Sequence, residues 1–291
     1  MDPRFRRLAT LTGAAAMLLV LAGNVAAASP AKLQPAVSTD STATVPAGNA
    51  WIRVLHASPD APAVDVYVDG AKAISGLAFG QIAPTTAPGY AQVAAGDHAI
   101  KVCATGSTTV CPIDVPKLNL ADGHKYTIAA TNLLAKIEAQ VLDDTAAAVA
   151  GSAQVRVVHF SADTPAVDVY LDGTKTAITG LAYPKATDYV ALPGKDYAVK
   201  VCATGSTTVC PIDVAKLTLA NGTAYSVYAI GSLNALLATP QPGLTPPPTD
   251  TATSATGTTG TSFSLALAAL VLVGLGSLGF TLRFVTRRSH S

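Results

Sequence analysis

CATGSTTVCPIDV fills residues 103–115, and the same thirteen letters fill residues 202–214. The match continues on both sides. Residues 52–70 read IRVLHASPDAPAVDVYVDG and residues 155–173 read VRVVHFSADTPAVDVYLDG, while residues 118–127 (LNLADGHKYT) face residues 217–226 (LTLANGTAYS). The offset is 103 positions between His56 and His159 but 99 between Cys103 and Cys202; one inserted residue near Ala177 and a five-residue deletion before Tyr189 account for the drift. Length changes confined between matched blocks are what loops joining fixed strands allow. A period of this size is a duplicated domain, too long for a solenoid repeat and ordinary for one hydrophobic core. Repeat 1 is bounded at residues 51–145 and repeat 2 at residues 153–238.

Within each copy apolar residues recur with period two. Ile52 and Val54 alternate with Arg53 and Leu55, and Val64, Val66 and Val68 with Asp65, Tyr67 and Asp69. Residues 99–103, 126–130 and 137–142 form similar short β-rich runs. Asp69-Gly70 and Asp172-Gly173 end one strand; Asp122-Gly123 and Asn221-Gly222 start another. Such dipeptides suit tight turns between antiparallel strands, because both residues tolerate positive φ. Asn221-Gly222-Thr223 also fits a glycosylation sequon, and the turn explains it equally well. Short strands and no helical window predict an all-β fold, two tandem Ig-like antiparallel β-sandwich domains. Repeat 1 ends on a closing strand at residues 136–143, whereas repeat 2 has only residues 235–239 before a proline-rich run. Its edge is therefore shorter or completed by a neighbour, and an open edge would accept another strand.

Cys103 and Cys111 are eight residues apart, as are Cys202 and Cys210. Gly106 or Gly205 provides the reversal between two strand ends, which brings each pair into bridging range. Two local disulfides, Cys103–Cys111 and Cys202–Cys210, are the pairing that lets each copy close by itself, and they fit an oxidising compartment. Closing a loop of this length is worth about 2–3 kcal/mol. The spacing fits neither a redox Cys-x-x-Cys nor the usual zinc patterns.

Both ends of the chain carry targeting patterns. Arg4, Arg6 and Arg7, an apolar run from Leu8 to Ala22 and then Ala26-Ala27-Ala28 describe a signal peptide over residues 1–28. Residues 263–282 hold no charge and are followed by Arg283, Arg287 and Arg288. Twenty residues at about 1.5 Å each span a bilayer core of about 30 Å. The arginines place the tail, residues 283–291, in the cytoplasm and the bulk outside. Residues 239–262, rich in threonine, proline, serine and glycine, read as an extended stalk that suits O-glycosylation, and residues 29–50 as a flexible leader. No Leu-Pro-x-Thr-Gly precedes the apolar run, so a retained transmembrane anchor is preferred over wall attachment. Between residues 29 and 262 there are 13 basic and 17 acidic side chains and no basic patch with interleaved aromatics, which argues against nucleic acid as a partner.

HASPDAPAVDVYVDG at residues 56–70, matched at residues 159–173, resembles the bacterial domain of unknown function 4397 (DUF4397). The stretch from Tyr189 to Gly194, followed by residues 197–201, is similar to that family's central strands. The resemblance covers residues 50 to 239. It implies exported, surface-associated, often tandem β domains and supplies no catalytic residue.

The repeated motif offers one constellation with chemistry. His56, Asp60 and Asp65 recur as His159, Asp163 and Asp168, and several carboxylates suggest an oxygen-lined calcium site. The simpler reading is structural: the histidine ends a strand, and Ser58 and Asp60 hydrogen-bond a proline-rich turn. No Gly-x-Ser-x-Gly or comparable nucleophile context appears. Trp51, which has no tryptophan counterpart in repeat 2, reads as packing at the domain edge. The preferred expectation is a membrane-anchored, non-enzymatic surface protein without a cofactor, whose two domains serve adhesion or bind an envelope glycan or surface protein. Tandem copies would add avidity. The hairpin tips, with Thr105, Ser107 and Thr108 in one copy and Thr204, Ser206 and Thr207 in the other, are the candidate contact residues. Rival readings are a calcium-dependent sensor or envelope enzyme centred on the His/Asp motif, and a structural spacer that binds nothing.

Overall fold

A computed structural model describes residues 29–237. The expected signal peptide, stalk, transmembrane helix and cytoplasmic tail lie outside the described residues. Among the described residues, no helix is long and apolar enough to cross a membrane.

The chain is all-β. It begins with β1 (Gln34–Asp40), β2 (Asn49–His56), β3 (Val64–Val68), β4 (Ala71–Leu77), β5 (Ile82–Ala83), β6 (Ala91–Ala94), β7 (Gly96–Ala104), β8 (Ile113–Leu120), β9 (Lys125–Thr131), a 3₁₀ turn (Leu134–Lys136) and β10 (Glu138–Asp143). The second half runs β11 (Ala153–His159), β12 (Val167–Leu171), β13 (Thr174–Lys175), β14 (Val190–Leu192), β15 (Asp196–Ala203), β16 (Ile212–Thr218), β17 (Ala224–Ile230) and a short helix, α1 (Leu233–Leu237). Each repeat forms two sheets. In repeat 1 these are β4-β3-β7-β8 and β10-β9-β2-β5, with β6 also on β2; in repeat 2 they are β13-β12-β15-β16 and β1-β17-β11-β14.

The period-two pattern decides how these sheets stack. Ala50, Ile52 and Val54 of β2 face the β3–β7–β8 layer and join Val66, Ile100, Val102 and Leu120 in one core. Val155, Val157 and Val227 do the same in repeat 2 with Val169, Val199 and Leu219. The alternate residues on the same strands do not face water. Leu55 and Ala129 meet Val158, Phe160, Tyr228 and Ile230 in a third core between the repeats. The molecule is thus four stacked sheets, the central strands β2, β9, β11 and β17 of the two inner ones buried on both faces. Burying each of these large side chains is worth roughly 1.5–3 kcal/mol.

Two expectations are corrected here. The sandwiches are not wholly antiparallel: β2 pairs with β9 in parallel, and so does β11 with β17. Strands covered on both faces are where parallel pairing belongs, and every residue of β17 is buried. Nor are residues 29–50 a flexible leader. They contain β1, which runs antiparallel to β17 from Gln34 opposite Ile230 to Asp40 opposite Ala224. The first strand of the described chain therefore completes the edge that repeat 2 lacks. In repeat 1 the same place is taken by β10, antiparallel to β9. Residues 235–237, all that the sequence offered at the end of repeat 2, lie in α1. Gly231 makes room for the exchange: at φ 103° it tolerates the backbone of Lys32 and Leu33, which a Cβ there would strike.

Candidate functional site at the repeat junction

Arg53 points from the middle of β2 into the junction and is 2% exposed. Its Nε donates to Thr127 Oγ1 at 2.7 Å and one terminal nitrogen donates to the Thr39 carbonyl at 3.0 Å. The other donates to Asp40 Oδ1 and lies 3.1 Å from Asp144 Oδ2. Arg156 repeats the arrangement from β11. Its Nε donates to Ser226 Oγ at 2.7 Å, its Nη1 to the Asp143 carbonyl at 2.7 Å, and its Nη2 to Asp144 Oδ1.

The pairing is reciprocal. Asp40 ends a strand in the sheet of repeat 2 and holds the arginine of repeat 1; Asp144 follows β10 in the sheet of repeat 1 and holds the arginine of repeat 2. Tyrosines bind the two halves together. The Arg53 guanidinium lies 4.7 Å from the Tyr90 ring centroid, and the Tyr90 hydroxyl donates to Asp144 Oδ2 at 2.8 Å. Arg156 lies 4.8 Å from the Tyr189 ring, and Tyr189 donates to Asp40 Oδ2 at 2.6 Å. Burial pushes both tyrosine hydroxyls well above their ordinary range. It also pushes the Asp144 carboxyl up, against the pull of Arg53 and Arg156. Burial alone would lower both guanidiniums, but Tyr228, Asp144 and Asp40 raise Arg53 overall, and Asp144 and Tyr189 do so for Arg156. Two cations and two carboxyls, each hydrogen-bonded, make a compensated network, the condition under which buried charge is tolerated.

An open cleft of about 470 Å³ lies against this network. Thr39 and Asp40 line it with Ser41, Thr42 and Ala43 of the connection to β2, the Thr85–Gly89 loop of repeat 1, and Gly222 and Thr223 of repeat 2. Repeat 2 has no counterpart of that loop. Ala83 pairs with Val54, and the Thr187 N–H donates to the Val157 carbonyl in the equivalent place, leaving only Asp188 before Tyr189 where repeat 1 has residues 84–89 before Tyr90. The five-residue length difference thus builds the cleft on one side of the junction alone. Its volume and its place between domains are those of ligand sites, which run from about 300 to 1,000 Å³. The walls present hydroxyls, and the one carboxylate, Asp40, is already engaged. The arrangement suits a neutral ligand rich in hydroxyl groups.

The cleft and the chain ends lie at opposite ends of β17. Thr223 precedes that strand, whereas residues 31–33 pair with Ser232 beyond it: the Leu33 N–H donates to the Ser232 carbonyl and the Ser232 N–H to the Ala31 carbonyl, both at 2.9 Å. Leu33 packs with Val167, Val201 and Ile212, the base of the repeat 2 disulfide hairpin. The Thr204–Thr208 tip therefore sits at the end where the described chain enters and leaves.

Each histidine and aspartate of the repeated motif has its own local partner, and they do not converge. His56 Nε2 donates to the Pro62 carbonyl at 3.0 Å, and His159 Nε2 to the Pro165 carbonyl at 3.1 Å. Burial holds both rings below the ordinary histidine pKa. The Leu134 N–H donates to Asp60 Oδ1 at 2.7 Å, so Asp60 caps the 3₁₀ turn. Asp163 caps α1, accepting from Leu233 N–H, Asn234 N–H and Ser232 Oγ. Burial would raise the Asp163 carboxyl, and these donors hold it low.

Asp65 and Asp168, also solvent-inaccessible, staple the hairpins. Asp65 accepts from Lys72 Nζ at 2.6 Å, Gly76 N–H at 2.9 Å and Gly106 N–H at 3.1 Å; Asp168 accepts from Lys175 Nζ, Gly180 N–H and Gly205 N–H at 2.6, 2.9 and 3.0 Å. The Lys72 hydrogen bond, then the backbone donors, bring the Asp65 pKa down to about 2; the Gly205 N–H, then Lys175, do the same for Asp168. Among the described residues, no cluster of three or more His, Cys, Asp or Glu is placed to hold a metal ion.

The disulfides Cys103–Cys111 and Cys202–Cys210 are both formed. Behind them the tips are held by their own serines: Ser107 Oγ accepts from Thr109 and Val110 N–H, and Ser206 Oγ from Thr208 and Val209 N–H. Thr105 N–H donates to Ala63, and Thr204 N–H to Ala166. Thr108 and Thr207 lie at the exposed turns. Trp51 stacks on Tyr90 with ring centroids 6.2 Å apart.

The junction residues Asp40, Arg53, Tyr90, Asp144, Arg156 and Tyr189 were not singled out by sequence. One signal was present: Arg53 and Arg156 interrupt apolar runs at matched positions, Ile-Arg-Val and Val-Arg-Val. A charge on a strand buried on both faces requires a partner, and an aspartate precedes each arginine by 13 and 12 residues.

Among curated proteins none is similar to the chain. Of solved structures, the TIE protein of Bacillus anthracis matches over 64% of this chain and 34% of its own, at 12% identity and a TM-score of 0.22. A leucine-rich repeat protein from Bacteroides thetaiotaomicron matches over 63% of this chain and 26% of its own, at 12% identity and a TM-score of 0.17. The chain thus spans about a third and a quarter of those proteins. The family model described as Domain of unknown function (DUF4397) matches residues 6–67, 50–170 and 153–263. With the recurring motif, the duplicated sandwiches and these tandem matches, the chain belongs to the DUF4397 family.

Proposed function

We propose that this is an exported, membrane-tethered surface protein. In this reading residues 1–28 are a signal peptide, residues 263–282 a transmembrane helix, and two Ig-like sandwiches stand outside as one rigid, non-enzymatic unit that binds an envelope glycan. Two closed disulfides and the absence of free cysteines among the described residues support an oxidising location. The observation that carries the reading is the polarity of the molecule. Both described chain ends emerge together at one end of β17, and the hydroxyl-lined cleft opens at the other. A tether at the first end presents the cleft outward and turns the hairpin tips toward the stalk.

The test is binding of the full chain to purified envelope polysaccharides. Two variants carry the comparison, Thr42→Arg with Ala87→Arg in the cleft, and Ser107→Lys with Ser206→Lys at the tips. The reading expects the cleft variant to lose at least tenfold in affinity and the tip variant to keep it. Loss confined to the tip variant moves the site to the hairpins. No binding by any form, with protease unable to reach the chain on intact cells, overturns it. An increase in melting temperature in millimolar calcium would favour the cation-dependent alternative.

A further inference from the structure

Repeat 2 is the less well filled of the two sandwiches. Between its sheets lies a cavity of about 110 Å³, lined by Val155, Val169, Leu171, Ile178, Leu192 and Tyr197 among others. A second cavity of about 70 Å³ adjoins it, and the two share Val157, Val199, Leu217 and Val227 as a common wall. The sibling repeat has a smaller cavity, about 70 Å³, at the matching place between Ile52, Val66, Val68 and Ile74. Val155, Val199 and Val227 are each one methylene smaller than Ile52, Ile100 and Ile128 of the repeat 1 core, while Leu171 and Leu192 are each one methylene larger than Val68 and Val93. Strand β4 runs for seven residues in repeat 1, whereas β13 has two and is followed by the extra residue near Ala177. Exposed Ala177 and Val190 (48% exposed) stand at the cavity edge.

An apolar cavity of this size stays dry and takes apolar guests of matching volume; an engineered protein cavity of about 150 Å³ holds benzene. Here two adjoining spaces share Val157, Val199, Leu217 and Val227, so a linear chain can reach along both. We propose that the sandwich of repeat 2 is a binding site for one short alkyl chain, which enters beside Ala177 and Val190 and lies against Val157, Val199 and Val227. A free fatty acid and a lipid acyl tail share this chemistry. The site is separate from the junction cleft and does not depend on its reading.

The experiment is methyl NMR of the full chain titrated with octanoate and, in a parallel arm, with dihexanoylphosphatidylcholine below its micelle concentration. Saturable shifts are expected for the valine and leucine methyls of the repeat 2 core, with those of repeat 1 unmoved. Response to octanoate alone identifies a free chain as guest, and response to both admits a lipid-borne one. The combined variant Val155→Ile, Val199→Ile, Val227→Ile restores the repeat 1 residues and is expected to weaken binding at least tenfold. Ala177→Trp plugs the mouth from the exposed side, so it serves even if the filled core misfolds. No saturable shift in the wild type, equal shifts in both repeats, or undiminished binding in a folded variant overturns the proposal.

Discussion

Strands β1 and β10 do the same work in opposite directions. Strand β10 closes the sheet of repeat 1, and the chain then delivers Asp144 to the arginine of repeat 2. Strand β1 closes the sheet of repeat 2 and delivers Asp40 to the arginine of repeat 1. After each aspartate the chain turns into the first strand of the following inner pair, β2 or β11. Counted this way, each repeat unit begins at β1 or β10 and gives its first strand to the other unit. The tandem chain is a strand-exchanged pair in which one polypeptide supplies both partners. Neither sandwich is complete alone, a stronger coupling than the independent domains that a hundred-residue period suggests.

The largest effect should come from breaking one exchange. Removing residues 29–40 takes away β1, leaves the β17 edge open and removes Asp40 from Arg53. Arg53 then shares Asp144 with Arg156, and breaking a buried pair costs up to about 3–5 kcal/mol. Hydrogen exchange is expected to show loss of protection along Ala224–Ile230 while Val64–Val68 stays protected, and a peptide of residues 34–40 supplied in trans should restore it. Equal protection with and without the strand would dissolve the comparison. A finer version uses single residues. Asp144 touches both arginines, whereas Asp40 contacts Arg53 alone. Asp144→Ala is therefore expected to cost about 3–5 kcal/mol in denaturant unfolding and Asp40→Ala somewhat less. Arg53→Met combined with Asp40→Leu should recover part of the loss, because an apolar pair leaves no stranded charge.

What was legible beforehand divides along the same line. Local features could be read: Asp69-Gly70 and Asp172-Gly173 do turn the chain, both aspartates at φ 50°, and the cysteine spacing closed two hairpins. Strand β1 could not be read, because its partner Ala224–Ile230 lies about 190 residues away and nothing in Gln-Pro-Ala-Val-Ser-Thr-Asp announces an edge strand with Ser38 and Asp40 turned inward. Proline and hydroxyl residues gave it the composition of a linker. Ser38 and Asp40 have meaning only beside Arg53 and Ser226, which register alone brings there. The parallel pairs escaped for a related reason. Arg53 and Thr127 look like the solvent face of a half-buried sheet until a second sheet covers them. The junction cleft depends on a loop present in one copy only, so a duplication read for its matches passes over it.

The disulfides offer an intermediate test. Identical loops in matched hairpins should contribute alike, so Cys103→Ser with Cys111→Ser and Cys202→Ser with Cys210→Ser are each expected to lower stability by about 2–3 kcal/mol. A clear inequality would show that the exchange supports one hairpin more than the other.

Acid should bring the smallest and most symmetric change, in two steps. His56 and His159 are held neutral by burial, below the ordinary value of about 6.5. The unfolded chain then binds more protons, so their contribution is complete above about pH 6.5 and declines as the pH falls beneath it. Asp65 and Asp168 titrate near 2 when folded, against about 3.9 for a free aspartate. Their contribution is intact above about pH 4 and is lost as the pH falls through 2. Melting temperature is therefore expected to slope downward below pH 6.5 and more steeply below pH 4. Asp65→Asn should flatten the lower step without touching the upper one, and Asp168→Asn should do the same to the same extent. Both aspartates bind one lysine and two glycine N–H groups in the same geometry, so a difference between the two variants would mean that the repeats, alike in their hairpins, are held unequally by the strands they exchange.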